Sequence, residues 1–168
     1  MKASSMDLIV RLLERADLGV VHAINQANVP EVGDATVEHL AWLVGESDAS
    51  LVAEVDGTVV GYLIALGPGS SYTSPNYTWF AGRYDDFLYV DRVAVVDTTR
   101  GLGVGSALYD AAEQHAREHG ISTLTCEVNV RPPNPTSLRF HERRGFVQVG
   151  EQDTYGATIR VRLLAKEL

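Results

Sequence analysis

The residues best suited to chemistry sit in a glycine-rich turn and in the segments that follow it. Asp97-Thr98-Thr99-Arg100-Gly101-Leu102-Gly103-Val104-Gly105-Ser106 joins a predicted strand to a predicted helix. Glycine lets the backbone come close to an anion, and a helix start adds N–H groups without intrahelical partners and the positive end of a dipole. Arg100 brings a guanidinium whose fork suits phosphate oxygens. The plainer reading is a tight strand-to-helix connection that needs positive φ. Two nucleotide motifs fail here: the dinucleotide fingerprint needs glycine where Ser106 stands, and the P-loop needs Gly-Lys-Ser/Thr where Gly105 leads into Ser106-Ala107. Downstream, strand alternation sets Thr125, Glu127 and Asn129 on one face, opposite Leu124, Cys126, Val128 and Val130. Asp91 alternates with Phe87, Tyr89, Val93 and Val95 on the preceding strand. His141 offers an imidazole that titrates near neutral pH. His115 and His119, four apart, lack a third ligand in view and read as structural.

These side chains need a scaffold. Leu8 to Leu13 predicts a strand, and Asp17 caps a helix of about Leu18 to Asn28 with Val20, Val21, Ile24 and Ala27 at helical spacing. A second helix, about Thr36 to Glu46, places Val37, Leu40, Ala41 and Val44 on one face. Leu51 to Val55 and Thr58 to Leu66 flank Asp56-Gly57, a strong hairpin signal. From Gly67 to Asp86 the pattern dissolves into Gly, Pro, Ser and aromatics, an unusually long stretch for a compact domain. Phe87 to Val96 and Thr123 to Val130 read as strands around a helix of about Val104 to His119, whose inner stripe is Val104, Ala107, Leu108, Ala111 and His115. Asn134-Pro135 opens a short helix that Gly145 closes, and Phe146 to Gly150 pairs with Ala157 to Leu164. The expected architecture is mixed α/β in a single domain, 1–168, with about seven mostly antiparallel strands and four helices.

Composition narrows the function classes. The 14 Lys+Arg against 22 Asp+Glu give a formal net charge of −8, which disfavours nucleic acid and anionic membranes and suits a cationic substrate. No apolar run has the length of a transmembrane span, and Arg11, Glu14 and Arg15 interrupt any signal-peptide core. A lone cysteine, Cys126, excludes an intrachain disulfide and points to the reducing cytoplasm.

Two motifs carry a resemblance. Arg100-x-x-Gly103-x-Gly105, following Val93-Ala94-Val95, resembles the acyl-CoA pyrophosphate loop of the GNAT N-acetyltransferase superfamily. Asn134-Pro-Thr-Ser137-Leu-Arg-Phe140-His141-Glu-Arg-Arg-Gly145-Phe146 is similar to that family's Asn-x-x-Ala-x-x-x-Tyr-x-x-x-Gly-Phe block, with the same separations. The opening from Ile9-Val-Arg11 to Ala16-Asp17 and the order of elements agree. The resemblance implies that the sheet splays between strands 87–96 and 123–130 to admit acetyl-CoA. Its pantetheine arm would pair with the backbone of Val93, Ala94 and Val95. Its pyrophosphate would rest on Arg100, Gly101, Leu102, Gly103, Val104, Gly105 and Ser106, and Asn134, Ser137 and Phe140 would lie beside it. For Asn134 a helix N-cap is an equal reading, and for Phe140 a place in the core.

The implied reaction is direct acetyl transfer to a primary amine, of a small molecule or a protein N-terminus. Cys126 lies on the strand face opposite Glu127, so nothing suggests a covalent nucleophile. Glu127 is the first candidate base: Cys126-Glu127-Val128 resembles the Leu-Glu-Val segment of the ribosomal-protein N-terminal acetyltransferases, although Arg131-Pro132-Pro133 makes a two-residue insertion before the Asn block. Asp91 is the second, with an ion pair to Arg11 or Arg92 as its plainer reading. His141 stands where most of the family carries the tyrosine that protonates the leaving sulfur. Tyr72, Tyr77, Trp79 and Tyr84 could cover the acceptor end, or form a satellite cluster or a homodimer contact. The rival readings are a non-catalytic acyl-CoA sensor and a dimeric interaction protein on the same fold.

Overall fold

The protein is described by a computed structural model covering residues 5–168. Its strands are β1 (Leu8–Leu12), β2 (Ala49–Val55), β3 (Thr58–Leu66), β4 (Leu88–Val95), β5 (Thr123–Arg131), β6 (Val147–Thr154) and β7 (Ile159–Glu167), hydrogen-bonded in the order β1-β2-β3-β4-β5-β7-β6. The helices are α1 (Leu18–Ala27), α2 (Val37–Glu46), α3 (Pro75–Ala81), α4 (Val104–Glu118) and α5 (Pro135–Arg143). The mixed, mostly antiparallel α/β class is the one expected. Among the described residues there are five helices rather than four, because α3 lies inside the stretch that showed no periodicity. Seven residues are too few for a helical repeat to declare itself, although Ser74 and Pro75 stand at the cap and first helical positions.

The chain forms two compact units: one runs to Ala65 and includes Arg92–Gln114, the other comprises Leu66–Asp91 and His115–Leu168. In the first, β1 and β3 pair antiparallel with β2, and Asp56 and Gly57 take φ of 50° and 82° to turn the hairpin. Val52, Ala53, Tyr62, Leu63 and Ile64 have no exposed surface. The helices bury somewhat different stripes from those expected. Helix α1 turns in Val21, Ile24 and Asn25, leaving Val20 and Ala27 exposed. Helix α2 buries Leu40 and Leu43, not Val37 or Ala41. Helix α4 buries Val104, Leu108, Tyr109, Ala112 and Ala116, a stripe displaced from the predicted one because the bulk of Tyr109 is turned inward. Periodicity locates an apolar face only to within about a residue, and the largest side chains decide the rest.

Asp17 precedes α1 as expected but does not cap it. Its carboxylate accepts from both Arg11 Nη atoms at 2.8 and 2.9 Å and from the Glu14 N–H at 2.7 Å. Through its hydrogen bonds the Arg11 guanidinium, which also bonds Glu54, holds the Asp17 carboxyl below the usual carboxylate range.

In the second unit β7 pairs antiparallel with both β5 and β6, from Thr123↔Glu167 to Arg131↔Arg160 and from Val147↔Ala165 to Thr154↔Ile159. Strand β6 runs past Gly150, where the sequence suggested an end, because a bulge between Gln148 and Gly150 lets the ladder resume. The parallel ladder of β4 and β5 is short, consisting of Leu88↔Leu124 and Tyr89↔Thr125. Helix α3 is fastened to β6: Gln152 Nε2 donates to Asn76 Oδ1 at 2.9 Å and to the Pro75 carbonyl at 3.2 Å, and Trp79 lies over Gly150.

Gly61 on β3 sits where a Cβ would be 3.1 Å from Val104 Cγ1, 3.2 Å from the Ala94 carbonyl and 3.3 Å from Leu108 Cδ1. Two of those contacts belong to the first turns of α4, so a side chain there would push against the helix start. Gly61→Ala is expected to destabilise the protein by about 1–3 kcal/mol, as overpacking does, seen as a lowered midpoint in urea unfolding with an unchanged slope.

Candidate functional site

The glycine turn is built for the conformation the sequence suggested. After β4 a single 3-10 turn (Asp97–Thr99) leads to Gly101 and Gly103, at φ of 85° and 83°, and α4 begins at Val104. Those angles are ones L side chains rarely adopt, so both glycines are required by the backbone path. Ala107 N–H closes the first helical bond, to the Gly103 carbonyl at 2.9 Å. The amides of Val104, Gly105 and Ser106 precede it, in the part of a helix where no intrahelical acceptor exists. Positive-φ glycines and helix-start amides form a donor set that fits a pyrophosphate. Arg100 is largely exposed; its Nε meets Asp97 at 2.9 Å and its Nη2 donates to Asn28 Oδ1 at 3.2 Å. Asn28 also donates to the Ile24 carbonyl and, at 3.4 Å, to the Val95 carbonyl, tying the end of α1 to the end of β4. A second polar centre lies nearby: Asn25 Oδ1 accepts from Arg92 at 3.0 Å and from the Tyr62 hydroxyl. Neither asparagine was singled out from sequence, since a polar residue in a helix gives no local sign that it will be buried. Ala94 is buried, with Val93 and Val95 half-buried on either side.

In the second unit, Glu127 is half-buried on β5 and accepts a hydrogen bond from the Tyr89 hydroxyl at 2.7 Å. Tyr89 is wholly buried. Burial first, and then the charges of Glu127 and Asp91, hold its phenol protonated well above the ordinary range. Thr125, on the same β5 face, is also wholly buried, and its Oγ1 has no hydrogen-bond partner among the described residues. Asp91 is half-buried at the end of this unit's part of β4. Of the two arginines proposed to pair with it, Arg11 engages Asp17 and Glu54, and Arg92 engages Asn25 and the Gly33 carbonyl.

The Asn134 block forms α5 as expected. Asn134 caps it, its side chain accepting from the Ser137 N–H at 3.4 Å. The Arg131-Pro132-Pro133 insertion is taken up in a tight turn: Asn134 N–H donates to the Asn129 carbonyl at 3.1 Å, and Arg131 is anchored to Asp153 and to the Ala157 carbonyl. His141 is buried between the rings of Phe140 and Phe146. Its Nδ1 lies 2.7 Å from the Ser137 carbonyl, so Nδ1 carries the proton. Burial lowers its pKa despite that bond, and the charge of Arg144 adds to the effect. Phe140 is half-buried with Arg144 over its ring.

The aromatic segment is a packed wall more than a lid. Tyr77 is 2% exposed, its hydroxyl donates to the Gly67 carbonyl at 2.7 Å, and its ring meets Tyr72, Phe87 and Tyr89. A buried ring with its hydroxyl engaged supports its neighbours. Trp79 is held between Gly150, Phe80 and the Arg83 guanidinium, 4.0 Å from the ring centroid. Tyr84 packs on Phe80 and borders a surface hollow of about 330 Å³ with Thr123 and Val147. Tyr72 stays half-buried beside Tyr77. His115 and His119 stack on each other, with His119 Nδ1 2.8 Å from the His115 carbonyl.

Comparison with known proteins follows the same lines. The chain is 30% identical over 129 residues to the L-2,4-diaminobutyric acid acetyltransferase of Nocardia farcinica, a stretch that is 75% of this chain and 59% of that protein. The match therefore spans less than two thirds of the relative's length. It is 28% identical over 150 residues to the N-alpha-acetyltransferase of Sulfurisphaera tokodaii, 83% of this chain and 80% of that one. Among solved structures, Ard1 from Thermoplasma volcanium superposes with a TM-score of 0.78 at 24% identity, covering 96% of this chain and 97% of that one, a likeness of fold. The model of the acetyltransferase (GNAT) family matches residues 19–146, a span that takes in both the glycine turn and the Asn134 block. With both motifs folded as the family's pattern requires, the chain belongs to the acetyltransferase (GNAT) family.

Proposed function

We propose that residues 1–168 act as one acetyl-CoA-dependent N-acetyltransferase domain, passing an acetyl group directly to a primary amine. The observation that carries this reading is the turn at Gly101 and Gly103, whose positive φ values leave the helix-start amides of α4 facing outward from the chain's own hydrogen bonding. Acetyl-CoA, when bound, supplies an activated acetyl thioester. In the first unit the Arg100 guanidinium and the amides of Gly101 and of Gly103 to Ser106 would hold its pyrophosphate, Leu102 having given its N–H to the Thr99 carbonyl at 3.2 Å, and the β4 backbone at Val93–Val95 its pantetheine arm.

Glu127 is the base in this reading. A lysine-like amine, pKa about 10.4, costs about 4–5 kcal/mol to neutralise at pH 7, and an α-amine near 7.7–8 about 1 kcal/mol. A carboxylate able to take that proton is therefore worth most for a side-chain amine. Asp91, two residues beyond Tyr89, would draw the cationic acceptor. His141 holds its Nδ1 proton on the Ser137 carbonyl, so any proton it delivers leaves from Nε2, after uptake there. The acceptor is a small-molecule amine or a protein N-terminus, with Tyr72 the aromatic placed best to touch it. The single cysteine, buried and in no disulfide, accords with a reducing cytoplasm.

Two measurements test this. Free-thiol release from acetyl-CoA across a panel of amines is expected to reveal an acceptor. With that acceptor, Glu127→Gln should lower kcat by about 10²–10⁴-fold while calorimetric acetyl-CoA binding persists. Failure to bind acetyl-CoA at all would overturn the proposal, and binding without turnover on any amine would favour the sensor reading. The second concerns His141. Because its folded pKa lies below the unfolded value of about 6.5, the unfolded chain takes up its proton first as pH falls. Stability is thus fully present above about pH 6.5 and declines as pH drops through the interval below it. Unfolding midpoints measured across that interval should show a shallower decline in His141→Gln than in the parent.

A further inference from the structure

The buried Tyr89 hydroxyl reaches Glu127, and no step above uses it. Its phenol donates to Glu127 Oε2 at 2.7 Å. The parallel register Tyr89↔Thr125 sets Glu127 two residues farther along β5, on the same face as Thr125. The ring has no freedom to swing away: Tyr77 packs edge-on at 5.8 Å and Phe80 at 5.8 Å, and Tyr77 is itself fixed by its bonds to Gly67 and Ser70. Across the ladder Glu127 faces Leu163 of β7. Within this unit, titratable groups near the pair include Asp91 on β4, Tyr72 before α3 and Tyr77 on α3.

We propose that Tyr89 is a positioning residue for Glu127: a rigid buried donor that fixes one carboxylate oxygen and so sets the orientation in which the carboxylate meets the acceptor's proton. The proposal rests on Glu127 being the base. The chemistry favours a phenol over a lysine or arginine in this place. A neutral donor orients the carboxylate and stabilises its charged form without neutralising it, whereas a cation would hold the carboxylate far more weakly basic. The aromatic wall of α3 then acquires a purpose, since it keeps Tyr89 dry and in one rotamer.

The test compares pH profiles of kcat/KM in the parent, Tyr89→Phe and Glu127→Gln, with the acceptor found in the amine panel. Phenylalanine keeps the ring and its packing and removes only the donor. Expected for Tyr89→Phe are a kcat lowered about 10- to 100-fold, the size of a lost hydrogen bond to a charged group, an acetyl-CoA KM within about two-fold of the parent, and an acidic limb displaced to higher pH. Should Tyr89→Phe fold poorly, fluorotyrosine at position 89 keeps the bond and strengthens the donor, and the acidic limb should then move to lower pH. An acidic limb that stays in place in whichever variant folds, while Glu127→Gln is inactive, overturns the positioning role alone. Full activity in Glu127→Gln overturns the base assignment on which it rests.

Discussion

An α-helix begins with amides that none of its own carbonyls can reach, and the first unit is organised around where one such beginning falls. The eight residues between Val95 and Val104 must reverse the chain and leave those amides outward. They do so with one 3-10 turn and two left-handed glycines. The start of α4 is then fixed from below by β3, which can approach only because Gly61 has no side chain. Asn28 braces the same region from α1, holding the Val95 carbonyl and the Arg100 guanidinium at once. A shift of any of these supports would move the amides together, because they belong to one rigid helical turn.

The second unit meets a different demand, that of giving a half-buried carboxylate a hydrogen-bond donor. A charge withdrawn from water needs donors, and a lone charge pays heavily without them. Here the donor is neutral and immobile. Tyr89 reaches Glu127 from β4, and α3 encloses Tyr89 with Tyr77 and Phe80. The helix is in turn pinned to β6 through Gln152 and Trp79. The packing of an apparently formless stretch of sequence thereby bears on the hydrogen bonding of a residue nearly 50 positions later. Helix α5 is held with similar economy: Asn134 caps it while its own amide is tied back to β5, so the two-proline insertion ends in the same anchor that begins the helix.

Much of this was legible in the residues. The glycine turn, the Asp56-Gly57 hairpin, the Asn134 cap and the alternation along β5 are local patterns, and local backbone chemistry is enough to produce them. The spacing of Arg100, Gly103 and Gly105 against Asn134, His141 and Gly145 identified the family. What escaped was decided at a distance. Helix α3 was too short to show a period, and Asp17, well placed as a cap, was claimed instead by Arg11 six residues earlier. The buried faces of α1, α2 and α4 turned slightly to accommodate the bulkiest residues available, Tyr109 among them.

The sequence by itself determined the order of the strands and of the four longer helices, the positive-φ turn and the carboxylate and imidazole on offer, because each follows from neighbours within a few residues along the chain. Only tertiary structure decided what those groups became. A hydroxyl 38 residues from Glu127 became its hydrogen-bond donor, and aromatic neighbours and a carbonyl closed in on His141 until burial pulled its pKa down. Protonation and orientation depend on solvent exclusion and on contacts between distant segments, and neither exists until the chain has folded.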